Sequence, residues 1–151
     1  MSYSLLKTLS TIFERDLTKL RNEINGYHTE SNIWIIDKEI KNSAGNLCLH
    51  LTGNLNTFVC AELGDTNYVR DREFEFNGKD VPRETLVTQI DQTIVDVTST
   101  LGQLTEEALY GDYPTLVFKE KMTTEFFLLH LSAHLNYHLG QVNYHRRLLD
   151  V

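Results

Sequence analysis

Residues 130–142 read HLSAHLNYHLGQV and carry histidines at positions 130, 134 and 138. A helix turns about 100° per residue, so side chains four apart return to nearly one face. The pattern predicts a helix over 123–149, opened by Thr123 or Thr124 with Glu125 in the first turn. Its inward stripe is Phe127, Leu131, His134, Leu135, His138, Val142 and His145. A helix that sets imidazoles among leucines must be covered by other helices, and the rest of the chain supplies them.

A first helix is predicted over 2–25, where Leu5, Leu6, Leu9, Ile12, Phe13, Leu17, Leu20 and Ile24 recur at spacings of three and four before Gly26. A second is predicted over 44–63, with Ser43 as its cap, Gly64 as its stop, and Leu47, His50, Leu51, Asn54, Leu55 and Phe58 on one face. The third follows Pro82 over 83–101, with Leu86, Ile90, Ile94, Val97 and Leu101 as its stripe, a break at Gly102 and a helical turn over 105–109. The connections are unequal. Residues 27–42 read as a linker that packs Trp34 on the core, 64–82 as a long charged surface loop, and 111–122 as an extended crossing segment or small hairpin. The expected fold is all-α: a four-helix bundle forming a single domain over 1–151, with a long helix 2–3 loop and a short extended segment before the last helix.

The 151 residues, 41% hydrophobic and 23% charged, suffice for one buried core and have ordinary globular composition. A formal net charge of −7 argues against nucleic acid and anionic membrane surfaces as partners. No apolar run approaches the roughly 20 residues needed to span a bilayer. The N-terminal MSYSLLKTLSTIFERDL lacks the basic start and unbroken apolar stretch of a secretion signal, so a cytoplasmic location is expected. If Cys48 and Cys60 share a helix they stand about 18 Å apart, too far for a disulfide. They read as buried thiols of a reducing compartment.

The chemistry lies in the histidines. Two imidazoles one turn apart, facing His50 across a bundle core, would make a three-nitrogen site that leaves a coordination position open. Nitrogen donors select Zn, Ni, Fe or Cu over Mg or Ca. Spacing alone permits either His130/His134 or His134/His138 as the pair. Asn54, one turn past His50, and Gln141, three residues past His138, are candidates to orient a ligand. Gly140 costs helix stability and implies close approach of another backbone. His28 and His145 read as surface residues. In VRDREFEF, the charges of Arg70, Asp71, Arg72, Glu73 and Glu75 read as locally paired and solvated, and Arg70 or Arg72 is the candidate to bind a substrate carboxylate or phosphate.

These residues resemble the DinB-like superfamily, which includes the YfiT and bacillithiol-transferase proteins. The segments NSAGNLCLHL and LGDTNYVRDREFEF look closest to a branch described as a domain of unknown function. The resemblance implies a metal held by one histidine on helix two and an H-x-x-x-H pair on the last helix: His50, His134 and His138, with Gly140-Gln141 after the final ligand. It leaves His130 as a flanking residue that contacts the substrate or a ligand. It further implies a divalent transition metal, Zn or Ni first, and a homodimer. The implied activity is transfer of a low-molecular-weight thiol, the co-substrate, to a small electrophile. A metal-dependent hydrolase and a non-catalytic metal- or small-ligand-binding homodimer are the alternatives.

Overall fold

The computed structural model describes residues 4–151. Ser4 caps the first helix, α1 (Leu5–Asn25), by accepting from the Lys7 N–H at 3.2 Å. The predicted start at residues 2 and 3 lies outside the described residues. The apolar stripe is buried as its spacing requires: Leu6, Leu9, Phe13, Leu17, Leu20 and Ile24 face inward, with Asp16 among them. The second helix, α2 (Ala44–Leu55), starts at Ser43, whose Oγ accepts from the Asn46 N–H at 3.1 Å. Every residue of α2 is buried. It runs on as a π-helical turn over Asn56–Ala61, so the regular helix ends earlier than the sequence suggests. Such wide turns recur next to functional sites.

Residues 64–82 are not a bare loop. They hold a short helix, α3 (Arg72–Asn77), capped by Asp71, which accepts from the Phe74 N–H at 3.0 Å. The third long helix, α4 (Arg83–Gln103), passes through Gly102 instead of breaking there. A Cβ at position 102 would meet nothing within 4 Å, so no packing demand interrupts the helix. Thr105 caps a short α5 (Glu106–Tyr110), and Thr123 caps the last helix, α6 (Thr124–Leu149). Among the described residues there are six α-helices and no β-strand. The 111–122 segment is a loop closed at its base by the bridge between Asp112 and Thr123. Tyr113 N–H donates to the Met122 carbonyl at 2.9 Å, and Thr124 N–H to that of Gly111 at 3.0 Å.

The long helices form an all-α bundle. Helix α1 packs on α4 and α6, and α2 packs on the same two, while α3 lies on α2 and α5 on α6. Phe13, Leu17, Leu20, Leu51, Leu55, Leu86, Ile90, Phe127, Leu131 and Leu135 fill the shared core. Removing each from water contributes about 1.5–3 kcal/mol. Polar ties set the register of α6 against α1: Asn143 and Arg146 both donate to Glu23, at 2.7 and 2.6 Å.

In the 27–42 segment Trp34 packs on the core as expected, half-buried, and Ile33 beside it is fully buried, within a 3-10 turn over Glu30–Trp34. Two expectations change. His145 is buried, as its place on the inward stripe of α6 predicts, and is not a surface residue. Its Nε2–H donates to the Ile35 carbonyl at 2.8 Å, and its Nδ1 accepts from the Tyr27 hydroxyl at 2.7 Å. The segment folding back over the end of α6 covers it. Finally, a Cβ at Gly140 would meet nothing within 4 Å, so among the described residues no other element's backbone approaches it.

Candidate metal centre

Two helices bring three imidazoles together. His50 lies on the buried face of α2, while His134 and His138, one turn apart on α6, are half-buried opposite it. The His50 ring centroid lies 5.0 Å from that of His134 and 5.5 Å from that of His138, and the α6 pair is 4.6 Å apart. One ligand nitrogen from each lies within 4.8 Å of the others, so the group could hold a metal ion. His50 Nε2 and His134 Nε2 are 3.2 Å apart. With Zn–N bonds of 2.0–2.1 Å, two nitrogens of a tetrahedral site stand about 3.3 Å apart. The donor set therefore fits a first-row transition ion.

The outer nitrogens decide which way each ring faces. His50 Nδ1 lies 3.1 Å from Glu75 Oε1. A carboxylate only accepts, so Nδ1 carries the proton and Nε2 presents its lone pair to the centre. His138 Nδ1–H likewise donates to Gln141 Oε1 at 2.6 Å, leaving its Nε2 free. His134 Nδ1 is buried and has no partner among the described residues.

Electrostatics keep the α6 pair neutral. Burial, then the neighbouring His138, His50 and His130 and the Arg70 charge, push the His134 imidazole down to about 4. Burial also lowers His138, against the opposing effect of its hydrogen bond to Gln141. Neutral imidazole is the form that ligates.

The charged neighbours of Glu75 in the sequence predict a solvated loop residue, and Glu75 is not one. It is buried, and Arg70 grips it with Nε and Nη2, each at 2.8 Å. Burial pushes its carboxyl up, but hydrogen bonds from His50 and Arg70 and the Arg70 charge outweigh that and hold it below its usual 4.5. Arg70 thus binds the protein's own carboxylate in the role sequence reading gave to a substrate. Arg72 is exposed, with its guanidinium 5.2 Å from the Phe76 ring centre. The rest of the α3 segment is anchored on α2. Asn46 Nδ2 donates to the carbonyls of Glu75 and Gly78, at 3.0 and 2.8 Å. Phe76 packs on the His50 ring at 4.9 Å. A Cβ at Gly53 would overlap the Glu75 carboxylate, so glycine is what lets that group lie against α2.

The other candidates divide. Gln141 touches a ligand ring. Asn54 is buried, and its Oδ1 has no partner among the described residues. His130 lies outside the group: it is exposed, 6.4 Å from the His134 ring, and packs on Phe118 and Phe127. Sequence reasoning missed Glu75 and Gly53. Gly53 alone left a signal, a helix-interior glycine three residues past His50, where glycine costs about 1 kcal/mol.

A cavity of about 930 Å³, lined by Lys38, Glu39, Ile40, Lys41, Gln141 and Tyr144 among others, has none of His50, His134 and His138 in its wall and connects to the centre only through Gln141. Gln141 therefore faces both this cavity and His138.

Comparison with known proteins places the chain by its fold. No curated protein matches it. Among solved structures it is similar to a conserved protein of locus from Enterococcus faecalis, at 15% identity and a TM-score of 0.78, over 98% of each chain. At that identity the likeness speaks for the fold alone. A family model described as a protein of unknown function (DUF1572) matches residues 2–150, and the chain belongs to that family.

Proposed function

We propose that this chain is a metal-dependent enzyme of the DinB-like kind, a single four-helix-bundle domain over 1–151 whose metal is held by His50, His134 and His138. One observation carries the reading: imidazole nitrogens from two helices converge, with His50 Nε2 and His134 Nε2 3.2 Å apart. When bound, a divalent ion, Zn or Ni first, would act as a Lewis acid that lowers the pKa of a thiol or a water towards neutrality. The chain's own residues do the rest. Glu75 and Gln141 hold the rings of His50 and His138, and α3 shields the His50 side from water. The cavity that Gln141 links to the centre supports a small-molecule substrate: Ile40, Leu47 and Tyr144 give it apolar walls, and Lys38, Glu39 and Lys41 give it a charged rim.

The leading reaction is transfer of a low-molecular-weight thiol to a small electrophile, and hydrolysis is the alternative. Metal-loaded protein given a thiol and a chloro-dinitroarene should turn over faster than free metal with thiol. His134→Ala should abolish bound metal by elemental analysis and keep the helical circular dichroism; unchanged metal content would refute the reading.

A homodimer belongs to the same proposal. Phe126, Leu129, Tyr137, Tyr144 and Leu148 are all exposed along one face of α6, an apolar surface that a second copy would cover. Cys48 and Cys60 are buried free thiols, which supports a reducing, cytoplasmic location. No described helix is long and apolar enough to cross a membrane. A net charge of −7 supports a partner list without nucleic acid or anionic membrane.

A further inference from the structure

We infer that Glu75 and Arg70 are positioning residues for the metal centre, delivered to His50 by the α3 segment, so that docking of α3 and metal binding support each other. The inference rests on the three-histidine reading and adds to it a carboxylate outside the ligand set.

The geometry is that of a chain of command from surface to ligand. Arg70 fixes both oxygens of Glu75, at 2.8 Å each. Glu75 Oε1 then accepts from His50 Nδ1 at 3.1 Å. The side chains of Arg70 and Glu75 are only 16% and 5% exposed, so water competes weakly for these bonds. A carboxylate in that place does two things for a ligating imidazole. It selects the tautomer with Nε2 unprotonated, and it strengthens that nitrogen as a donor. Arg70 prevents the carboxylate from rotating away.

The contacts that fix α3 have no need of a metal, yet they converge on His50. Asn46 holds the backbone of Glu75 and Gly78, Phe76 covers the His50 ring, and Gly53 leaves room for the carboxylate. A segment that contributes to metal affinity must itself be stabilised by the metal, by reciprocity of coupling.

The test is a zinc titration of the full chain against a chromophoric chelator. It compares the native chain with Glu75→Ala, Glu75→Gln and the exposed neighbour Glu73→Ala. Glu75→Ala should weaken zinc about 10–100-fold, the usual effect of removing such a partner. Glu75→Gln, which keeps an acceptor but loses the charge, should fall between, and Glu73→Ala should match the native chain. Zinc should slow proteolysis within 64–82 in the native chain and not in Glu75→Ala. If the Glu75 variants fail to fold, nitrogen-15 NMR of native His50 decides: protonation at Nδ1 supports the inference, and protonation at Nε2 overturns it. Zinc affinity of Glu75→Ala within twofold of native also overturns it, leaving the metal centre standing. A native chain that binds no zinc refutes the metal centre itself.

Discussion

Substituting Gly53 by alanine should destabilise the protein, although alanine is the better helix former. Position 53 lies inside α2, where exchanging glycine for alanine ordinarily stabilises by about 1 kcal/mol. Here the new methyl would occupy the space of the Glu75 carboxylate. That carboxylate is the far end of a flexible side chain, but three bonds hold it, two from Arg70 and one from His50. Hydrogen bonds to a charged group contribute about 1.5–3 kcal/mol each. Shifting Glu75 enough to admit a methyl sacrifices one or two of them, about 2–3 kcal/mol. The net effect is a loss of about 1–2 kcal/mol.

The sign should reverse once Glu75 is removed. In a Glu75→Ala background the three atoms nearest the new Cβ are gone, and the substitution should stabilise by about 1 kcal/mol. The pair should therefore show a coupling of about 2–3 kcal/mol in a double-mutant cycle, within the range seen for residues in contact. Urea unfolding at pH 7 with a chelator present isolates this from metal binding. Equal effects in both backgrounds, or stabilisation in the native chain, would refute the claim that position 53 is glycine because of Glu75.

Two further outcomes follow from the same contacts. The metal-free protein should lose stability as pH falls from about 7 to about 4. His134 stays neutral in the fold down to about 4, whereas the unfolded chain takes up its proton near 6.5. The lowered His138 adds to the slope, and Glu75 extends the loss as pH falls through its depressed folded value. A urea midpoint that is flat or rising from pH 7 to pH 5 would contradict this. Separately, Gly140→Ala should raise stability by about 1 kcal/mol in urea, since its Cβ meets nothing within 4 Å. A lower midpoint would mean that a second copy packs against position 140.

How much could be read from the residues depended on how each contact repeats along the chain. Leu6, Leu9, Phe13, Leu17 and Leu20 return to one face every three or four positions, so α1 was legible to within a few residues. The same held for α4 and α6. The hydroxyl caps Ser43 and Thr123 marked the starts of α2 and α6 because an unpaired helix N-terminus needs an acceptor. Helix α3 escaped notice because six residues make too few turns for a stripe. Its one buried acidic side chain, Glu75, looks in sequence like its exposed neighbour Glu73. The period of α6 places His145 on the inward stripe, although its position near the chain end reads as surface. Its partners, Tyr27 and Ile35, come from a segment more than 100 positions away that has no period to reveal where it folds.

The centre divides along the same line. Histidines one turn apart announce a pair because the helix supplies the geometry, though spacing leaves His130/His134 and His134/His138 both open, and His50 joins them because it falls on the apolar side of another helix. What orients His50 comes from outside any helix period. Glu75 lies 25 residues further on, in a segment dense with like residues, and only the fold decides which of them turns inward. Arg70 shows the consequence most plainly. An arginine near a metal centre suggests a grip on substrate, yet its fork is already closed on Glu75 by two bonds of 2.8 Å. The positive charge that sequence reading assigned to a ligand is used to hold in place the negative charge behind His50. The substrate proposed above would then have to be recognised elsewhere, and the cavity that shares Gln141 with His138 is where the side chains leave room.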